Sequence, residues 1–265
     1  MLKTMPNVKR ISVRFILKNF LQKLLNLYGY KMTPVSIADP VIDSDKIFMR
    51  IYDKCKDFTM TPKERMYALY KAVLYTLDAD IPGDFVECGV WKGGSTMLIA
   101  YILLEANVTS RKIYLYDTFE GMSKPTGGDF RVSHREIRAS NTWKSEQKED
   151  HNEWAFSPLS EVTENLFSTR YPKKNLVFVR GKVEKSIPKT VPDKIALLRL
   201  DTDWYESTKH ELNHLFPLIA RNGVLLVDDY GYWAGSKKAV DEYFSNRPIF
   251  FNRVDSSSRI GIKIC

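Results

Sequence analysis

Four apolar segments of the chain carry an acidic residue or are followed directly by one, and this recurrence constrains the fold more than any other feature. These segments cover residues 85–88, 112–116, 194–200 and 223–227, and a fifth apolar segment without an acid covers 175–179. Helical segments separate them, and strands that alternate with helices form a parallel sheet with helices on both faces. The sequence therefore predicts a doubly wound α/β fold, for which 265 residues are sufficient.

The two ends of this predicted domain carry further signals. Thr61 and Pro62 precede a helical segment, and we interpret them as its N-cap and its first-turn proline. At the other end, segments 249–254 and 259–264 flank a run of serines and predict an antiparallel hairpin at one edge of the sheet. The mostly parallel sheet is thus expected to close on an antiparallel C-terminal hairpin.

A glycine-rich turn over residues 89–94 follows the first predicted strand. The strand delivers the carboxylate of Glu87, and the helix that starts at Ser95 offers free N–H groups in its first turn. The glycines follow G-x-x-x-G-G, which is neither the G-x-G-x-x-G of dinucleotide-binding folds nor a P-loop. Glu87 would repel a pyrophosphate, so the turn favours a cationic cofactor that carries an amino acid. The alternative is a tight strand-to-helix turn with no ligand.

Asp117 ends the next predicted strand, about twenty residues beyond the glycine-rich turn. An acid at this point of a doubly wound fold can accept hydrogen bonds from ribose hydroxyls. Together with the turn, Asp117 predicts a ligand that contains a nucleoside, without specifying which one.

Acidic residues also follow the last two parallel strands. Asp201 and Asp203 come after one strand, and Asp228 and Asp229 come after the next. If these strands are neighbours, their carboxyl ends meet at one edge of the sheet, where Asp201, Asp228 and Asp229 would repel one another unless a cation neutralises them. Carboxylate oxygens favour Mg²⁺ or a similar hard metal ion. The alternative is that some of these acids cap the helices that follow.

Residues 121–158 interrupt the alternation of strands and helices with a long polar segment, which predicts an inserted lid or a mobile loop. The insertion follows a strand end, where doubly wound folds bind their ligands. His134 and His151 fall within it, and His210 and His214 share one face of a later helix. We interpret all four as surface or structural residues, with His134 or His151 as a substrate contact in the alternative.

The N-terminal segment is basic: seven Lys or Arg residues precede the first acid, Asp39, with apolar residues at helical spacing between them. Such a helix could lie on a membrane surface or bind a partner, but we favour packing on protein. Its charges interrupt any signal-peptide core, and no apolar run is long enough to span a bilayer. We therefore expect a cytoplasmic protein with an N-terminal helical extension, residues 1–58, and one domain, residues 59–265.

The overall composition adds little to this prediction. The net charge of +8 permits contact with nucleic acid, anionic lipid or an acidic substrate but establishes none of them, and we expect no nucleic-acid partner. The three cysteines have no metal-ligand spacing, and their odd number fits a reducing compartment better than a disulfide framework.

At its motifs the chain resembles the macrocin O-methyltransferase family, which includes sugar O-methyltransferases of macrolide and aminocoumarin antibiotic biosynthesis. The resemblance extends from about Thr59 to Phe244 and rests on four motifs in order, over residues 85–94, 116–122, 200–208 and 227–231. It implies a Rossmann-like fold that binds S-adenosylmethionine and Mg²⁺, acts on a hydroxyl of a sugar-containing small molecule, and commonly forms a homodimer.

The resemblance also implies roles for particular residues. The cofactor would be held by Glu87, Gly89, Trp91, Gly93, Ser95, Asp117 and Thr118, and the metal ion by Asp201, Asp228 and Asp229. Asp203 would be the catalytic base. Residues 181–186 depart from the family pattern, which more often has an aromatic residue after the glycine and an acid before the hydroxyl residue.

The predicted reaction is in-line transfer of a methyl group from a sulfonium to a hydroxyl oxygen of a sugar or glycosylated natural product. The protein would position the oxygen, and the metal ion together with Asp203 would favour loss of its proton. A catechol acceptor is one alternative. A non-catalytic, membrane-associated binding protein on a methyltransferase fold is another, although the intact acids argue against it. The missing G-x-G-x-x-G motif disfavours an NAD-dependent dehydrogenase.

Overall fold

A computed structural model describes residues 39–264 of the chain. The basic segment before Asp39, for which we predict a helix, lies outside the described residues. Helix α1, Pro40–Ser44, is short, and a compact unit begins at Ser44. The domain boundary that we predict at residue 58 stays a prediction. Within residues 39–264, no helix has both the length and the apolar character needed to cross a membrane.

The compact unit alternates strands and helices. Its helices, α2 to α9 in chain order, cover Lys46–Cys55, Lys63–Asp78, Gly94–Glu105, Ala139–Glu146, Leu159–Ser168, Val183–Ser186, Tyr205–Leu215 and Ala234–Phe244. Its strands, β1 to β7, cover Asp84–Cys88, Ile113–Asp117, Leu176–Arg180, Ile195–Leu200, Ile219–Val227, Phe250–Arg253 and Arg259–Ile262.

The seven strands form one sheet in the order β3-β2-β1-β4-β5-β7-β6. The pairs among β1 to β5 are parallel, whereas β7 is antiparallel to both β5 and β6. The predicted fold is therefore confirmed: a Rossmann-like, mostly parallel sheet with an antiparallel C-terminal hairpin. The chain moves outward from β1 to β3 and then returns to β4, so the order reverses between β1 and β4, which is where such sheets open a ligand crevice.

The central strands are apolar because helices cover both faces of the sheet. Every residue of β4 is buried, and its Leu198 and Leu200 belong to the same apolar cluster as Leu212 and Leu215 of α8. On the opposite face, α4 is buried along most of its length because it packs against α2, α3 and α6. A helix that is apolar all round is expected in such an enclosed position.

The start of α3 differs from our prediction. The helix begins at Lys63, and Pro62 is its N-cap residue, without a capping hydrogen bond from a side chain. The N-cap role that we predict for Thr61 is wrong, because the Thr61 hydroxyl instead accepts a hydrogen bond from Nη2 of Arg199 at 2.9 Å. Thr61 thus ties the start of α3 to the carboxyl end of β4.

The insertion over residues 121–158 contains helix α5 and isolated β-bridges. The fully buried Asp129 accepts hydrogen bonds from the backbone N–H groups of Thr126 at 2.7 Å and Tyr205 at 3.0 Å. Trp154 packs edge-on against Trp204 and Trp233. These contacts fix the insertion against the loops that follow β4 and β5, beside the carboxyl edge of the sheet.

Candidate active site

A cavity of about 440 Å³ opens at the carboxyl edge of the sheet. Its wall is formed by the glycine-rich turn, the insertion, and the acids that follow β4 and β5; the lining residues include Gly89, Trp91, Asp117, Met122, Trp154, Asp201, Asp203, Asp228 and Asp229. The strand order reverses at this point, so the cavity lies where doubly wound folds bind ligands.

The glycine-rich turn brings the ends of β1 and β4 close together. Gly89 has a φ of +84°, and a Cβ atom there would overlap the carbonyl oxygen of Asp201. Only glycine meets both requirements without strain. Trp91 also has a positive φ, of 47°, and it lines the cavity beside Gly89.

The carboxylate of Asp117 is fixed by the backbone of the turn. Its Oδ2 atom accepts hydrogen bonds from the N–H groups of Val90 at 2.6 Å and Trp91 at 3.3 Å, and Oδ1 accepts one from Phe119 at 2.8 Å. Burial raises the pKa of Asp117 although these hydrogen bonds act to lower it. Thr118, next in the chain, lines a smaller adjoining cavity together with Gly181 and Glu184.

Three predicted cofactor residues have partners inside the fold and are not among the residues that line the main cavity. The buried carboxylate of Glu87 accepts hydrogen bonds from Arg199 at 2.7 Å and from the hydroxyl of Thr96. Ser95 donates to the sulfur of Met66 at 3.7 Å, and Gly93 faces the side chain of Leu166. Cofactor contact by Glu87, Gly93 and Ser95 stays a prediction.

The structure brings three carboxylates together at the ends of β4 and β5. Asp201, Asp203 and Asp229 each offer an oxygen atom, and these atoms all lie within 4.8 Å of one another. Burial raises the pKa of Asp203 to about 7; a hydrogen bond with Asp229 opposes this rise, and repulsion from Asp201 and Asp228 adds to it. Oδ2 of Asp229 is buried without a hydrogen-bond partner among the described residues. Such a group is costly unless a cation or a proton compensates it.

Asp228 does not face this group, although the resemblance implies that it is a metal ligand. Its Oδ2 atom lies 2.6 Å from Nη1 of Arg65, and its Oδ1 atom lies 3.1 Å from Nη2 of Arg199. Asp203, implied as the base, instead stands beside Asp201 and Asp229. The metal role of all four acids stays a prediction.

Arg199 is the principal residue at the site that the sequence reasoning missed. Its side chain is only 2% exposed, and Nη1 lies 2.7 Å from Glu87 and 2.8 Å from Asp201. Burial lowers the pKa of the guanidinium, but the surrounding carboxylates raise it well above its usual value. A charged residue within the buried strand IALLRL, two positions before Asp201, was the signal that could have revealed this counter-ion.

The four histidines for which we predict surface or structural roles lie away from the lining of the main cavity. His134 is exposed beside Glu136, and His151 interacts with Asp150 and Glu153. His210 contacts the carbonyl oxygen of Ile187 at 2.9 Å, and the centre of its ring lies 4.1 Å from that of His214, with the two ring planes tilted by 30°. None of the four is among the residues that line the main cavity.

The fold and the position of the cavity define a Rossmann-like α/β protein with a ligand site at the carboxyl edge of its sheet, and solved O-methyltransferases share this fold. The solved structure of the O-methyltransferase NovP is similar, with a TM-score of 0.68 and 27% identity, over 78% of this chain and 83% of that chain. The calicheamicin methyltransferase CalS11 shares the fold, with a TM-score of 0.56 and 19% identity over 99% of both chains.

Residues 52–257 match the sequence model of the macrocin O-methyltransferase (TylF) family, and the chain belongs to that family. A relative from Streptomyces olivaceus, 8-demethyl-8-(2,3-dimethoxy-alpha-L-rhamnosyl)-tetracenomycin-C 4'-O-methyltransferase, is 29% identical over 88% of this chain and 85% of its own length. The demethyldecarbamoylnovobiocin O-methyltransferase of Streptomyces niveus is 30% identical over 70% of this chain and 67% of its own length. The family resemblance noted at the motifs is thereby confirmed.

Proposed function

We propose that this chain transfers a methyl group from S-adenosylmethionine to a hydroxyl of a sugar-containing small molecule, with the help of Mg²⁺ or a similar divalent ion. The observation that carries the proposal is the group formed by Asp201, Asp203 and Asp229 on the wall of a cavity that the glycine-rich turn also lines. A glycine-rich turn and an acidic group that share one cavity would hold the cofactor next to the acceptor hydroxyl.

The residues on the β1 and β2 side of the cavity suit the cofactor. Gly89 allows close approach of a ligand to the backbone, Trp91 offers an aromatic surface, and Asp117 presents a carboxylate for ribose hydroxyls. We assign Thr118 to the adjoining part of the same site. The proposal keeps Glu87, Gly93 and Ser95 as cofactor residues, as the family resemblance implies, although they are not among the residues that line the main cavity. S-adenosylmethionine supplies a methyl group that is already activated on a sulfonium.

The residues on the β4 and β5 side suit a divalent cation. The donors are all carboxylate oxygens, which hard cations prefer. Among the described residues, six carboxyl groups lie around two guanidinium groups: Arg65 pairs with Asp228 and Asp255, Arg199 pairs with Glu87, Asp201 and Asp228, and Asp203 and Asp229 form no ion pair. The excess of negative charge and the orphaned Oδ2 of Asp229 fit a divalent ion held by Asp201 and Asp229, with Asp203 or Asp228 nearby. When bound, the ion supplies positive charge that stabilises a developing alkoxide.

The chain itself would position the acceptor and remove its proton. Asp203 is the candidate base, because its raised pKa makes it a better proton acceptor than an ordinary aspartate. Trp154 lines the cavity from the insertion, and Trp204 and Trp233 pack against it, so water has restricted access from that side. Positioning of the two reacting atoms supplies much of the rate in such a transfer.

A sugar-bearing acceptor is supported by the relatives and by the mouth of the cavity. The relatives of the chain include a methyltransferase of a rhamnosyl tetracenomycin and a mycinamicin III 3''-O-methyltransferase. At the mouth, Met60, Ile137 and Tyr232 expose apolar surface while also lining the cavity. Such a surface suits the apolar face of a sugar or the body of a glycosylated natural product.

Calorimetric and turnover measurements test this function directly. We expect S-adenosylmethionine to bind without metal, and methyl-labelled cofactor to label demethyldecarbamoylnovobiocin or another glycosylated acceptor only when Mg²⁺ is present. Nicotinamide dinucleotides serve as matched controls that should not bind. Failure to bind S-adenosylmethionine, with the protein folded, would contradict the proposal at its first step.

Three further parts of the proposal concern the whole molecule. We propose a homodimer, as the family resemblance implies, cytoplasmic localisation, and packing of the N-terminal segment on protein. Light scattering tests the first, and cell fractionation tests the second. Co-sedimentation of the full chain with anionic vesicles tests the third, because salt-sensitive binding that is lost on deleting residues 1–31 would contradict it.

A further inference from the structure

The turn that carries Asp203 is strained. Asp203 has a φ of +69°, and the N–H of Trp204 donates to the carbonyl oxygen of Thr202 at 2.8 Å. A three-residue turn of positive φ is the rare and strained form of the γ-turn. Strained residues persist where the surrounding structure holds them. Because Asp201 and Asp203 flank Thr202, whatever holds Thr202 sets the direction of both carboxylates.

Two side chains of the following helix hold Thr202. The hydroxyl of Ser207 lies 3.3 Å from the carbonyl oxygen of Thr202. The hydroxyl of Thr202 donates to Oε1 of Glu211 at 2.9 Å. The first contact fixes the backbone of the turn, and the second fixes its side chain against α8, below the cavity.

Glu211 is an unusual residue for this position. It is fully buried, and its Oε2 atom has no conventional hydrogen-bond partner among the described residues. The weakly donating thiol of Cys88 lies beside its carboxyl group. It is unfavourable to bury a carboxyl group whose hydrogen-bonding capacity is only partly satisfied. The neighbouring core positions Leu212 and Leu215 show that an apolar side chain packs well on this helix. Packing alone therefore does not account for an acid here.

We propose that Glu211 is a positioning residue, which fixes the strained turn so that Asp201 and Asp203 face the cavity together. It acts through the hydroxyl of Thr202 and touches neither of the two acids in this arrangement. The inference rests on the proposed function, because the group that it positions is the proposed metal and base site. It adds a residue that stands outside the cavity wall.

The first test measures cation affinity with Mn²⁺ alone as the probe, through the electron paramagnetic resonance signal of the free ion. Glu211→Leu and Thr202→Val each remove one partner of the hydrogen bond, and we expect either to weaken Mn²⁺ binding by about two-fold to ten-fold. The double variant should bind Mn²⁺ no more weakly than the weaker-binding single variant, because the two substitutions remove the same hydrogen bond. Glu211→Gln keeps an oxygen acceptor for Thr202 and should bind Mn²⁺ like the wild type.

Thr76→Val is the matched control. Thr76 is fully buried and its hydroxyl donates to the carbonyl oxygen of Val73 within α3, remote in sequence from the turn. The Thr76→Val substitution should lower the melting temperature without changing Mn²⁺ affinity. Unchanged Mn²⁺ affinity in a folded Glu211→Leu protein, or an equal loss in Thr76→Val, would overturn the positioning role.

A second readout separates this inference from the proposed function. Amide hydrogen exchange at Trp204 reports the hydrogen bond that closes the strained turn. We expect faster exchange in Glu211→Leu and wild-type exchange in Glu211→Gln. If the wild type bound no Mn²⁺, the proposed metal site would fail, and exchange at Trp204 would still decide whether Glu211 holds the turn.

Discussion

The carboxyl edge of the sheet has two halves, a first half at the ends of β1 and β2 and a second half at the ends of β4 and β5. The carboxyl groups of the two halves lie in different environments. At the end of β2, the carboxylate of Asp117 accepts hydrogen bonds from three backbone N–H groups, so both of its oxygens have donors within the fold. After β4 and β5, Asp201, Asp203 and Asp229 face one another, and Oδ2 of Asp229 has no hydrogen-bond partner within residues 39–264. Both halves present acids, but among the described residues only the second gathers three carboxyl groups within 4.8 Å of one another.

This contrast shows how one carboxyl edge of a sheet can offer two different ligand sites. A carboxylate that is already satisfied shapes a binding surface and can share its remaining lone pairs with neutral hydroxyls. Carboxylates that repel one another remain costly until a cation or a proton relieves them. The first half thus suits the ribose of a cofactor, and the second suits a metal ion with an acceptor oxygen.

Chelation gives the largest expected contrast between the halves. With excess EDTA, methyl transfer should fall to background, because the acids after β4 and β5 would lose the charge that they need. S-adenosylmethionine affinity, measured by calorimetry, should hardly change, because the cofactor side has its own hydrogen bonds. Restoring Mg²⁺ should restore turnover. Full activity in EDTA from a folded protein would remove the metal ion from the mechanism.

Replacing the candidate base sharpens the contrast within the second half. Asp203→Asn should slow methyl transfer by about 10²- to 10⁴-fold, as expected for loss of a general base, while S-adenosylmethionine still binds. Single-turnover kinetics with saturating cofactor measure this effect. The exposed acid Asp57, changed to Asn, is the control and should leave the rate unchanged. A wild-type rate in Asp203→Asn would assign the proton to another group.

Arg199 joins the two halves, since it contacts Glu87 on one side and Asp201 and Asp228 on the other. Arg199→Met should lower the free energy of unfolding by about 3–5 kcal/mol, because it leaves buried carboxylates uncompensated. Urea denaturation measures the change. Arg180→Met removes an exposed ion pair with Glu120 and should cost at most about 1 kcal/mol. Equal effects of the two substitutions would contradict the role of Arg199 as a buried counter-ion.

The smallest expected effect concerns the first half alone. Asp117→Ala should weaken S-adenosylmethionine binding by about 1.5–3 kcal/mol, the range for hydrogen bonds to a charged group. Mn²⁺ affinity should stay at the wild-type value, since Asp117 lies outside the acidic group. Calorimetry with each ligand checks both statements. Loss of Mn²⁺ affinity in this variant would show that the two halves are coupled.

The fold could be predicted from the sequence because its signals are local. Apolar strands of four to seven residues, separated by helical segments, follow directly from the requirement that central strands are covered on both faces. The acids at neighbouring strand ends were also predictable, because parallel strands finish at one edge. The Thr61 prediction failed because a contact with Arg199, distant in the chain, replaced the local capping hydrogen bond.

The order of residues along the chain determined which acids reach the carboxyl edge of the sheet: Asp117 after β2, Asp201 and Asp203 after β4, and Asp228 and Asp229 after β5. Only the tertiary structure decided where each carboxylate points. Asp228 turns to Arg65, which lies on a helix 163 residues earlier, whereas Asp229 turns to Asp201 and Asp203. The physical reason is that strand position depends on local apolar pattern, while a buried charge takes its direction from whichever partners the folded chain brings within a few ångströms.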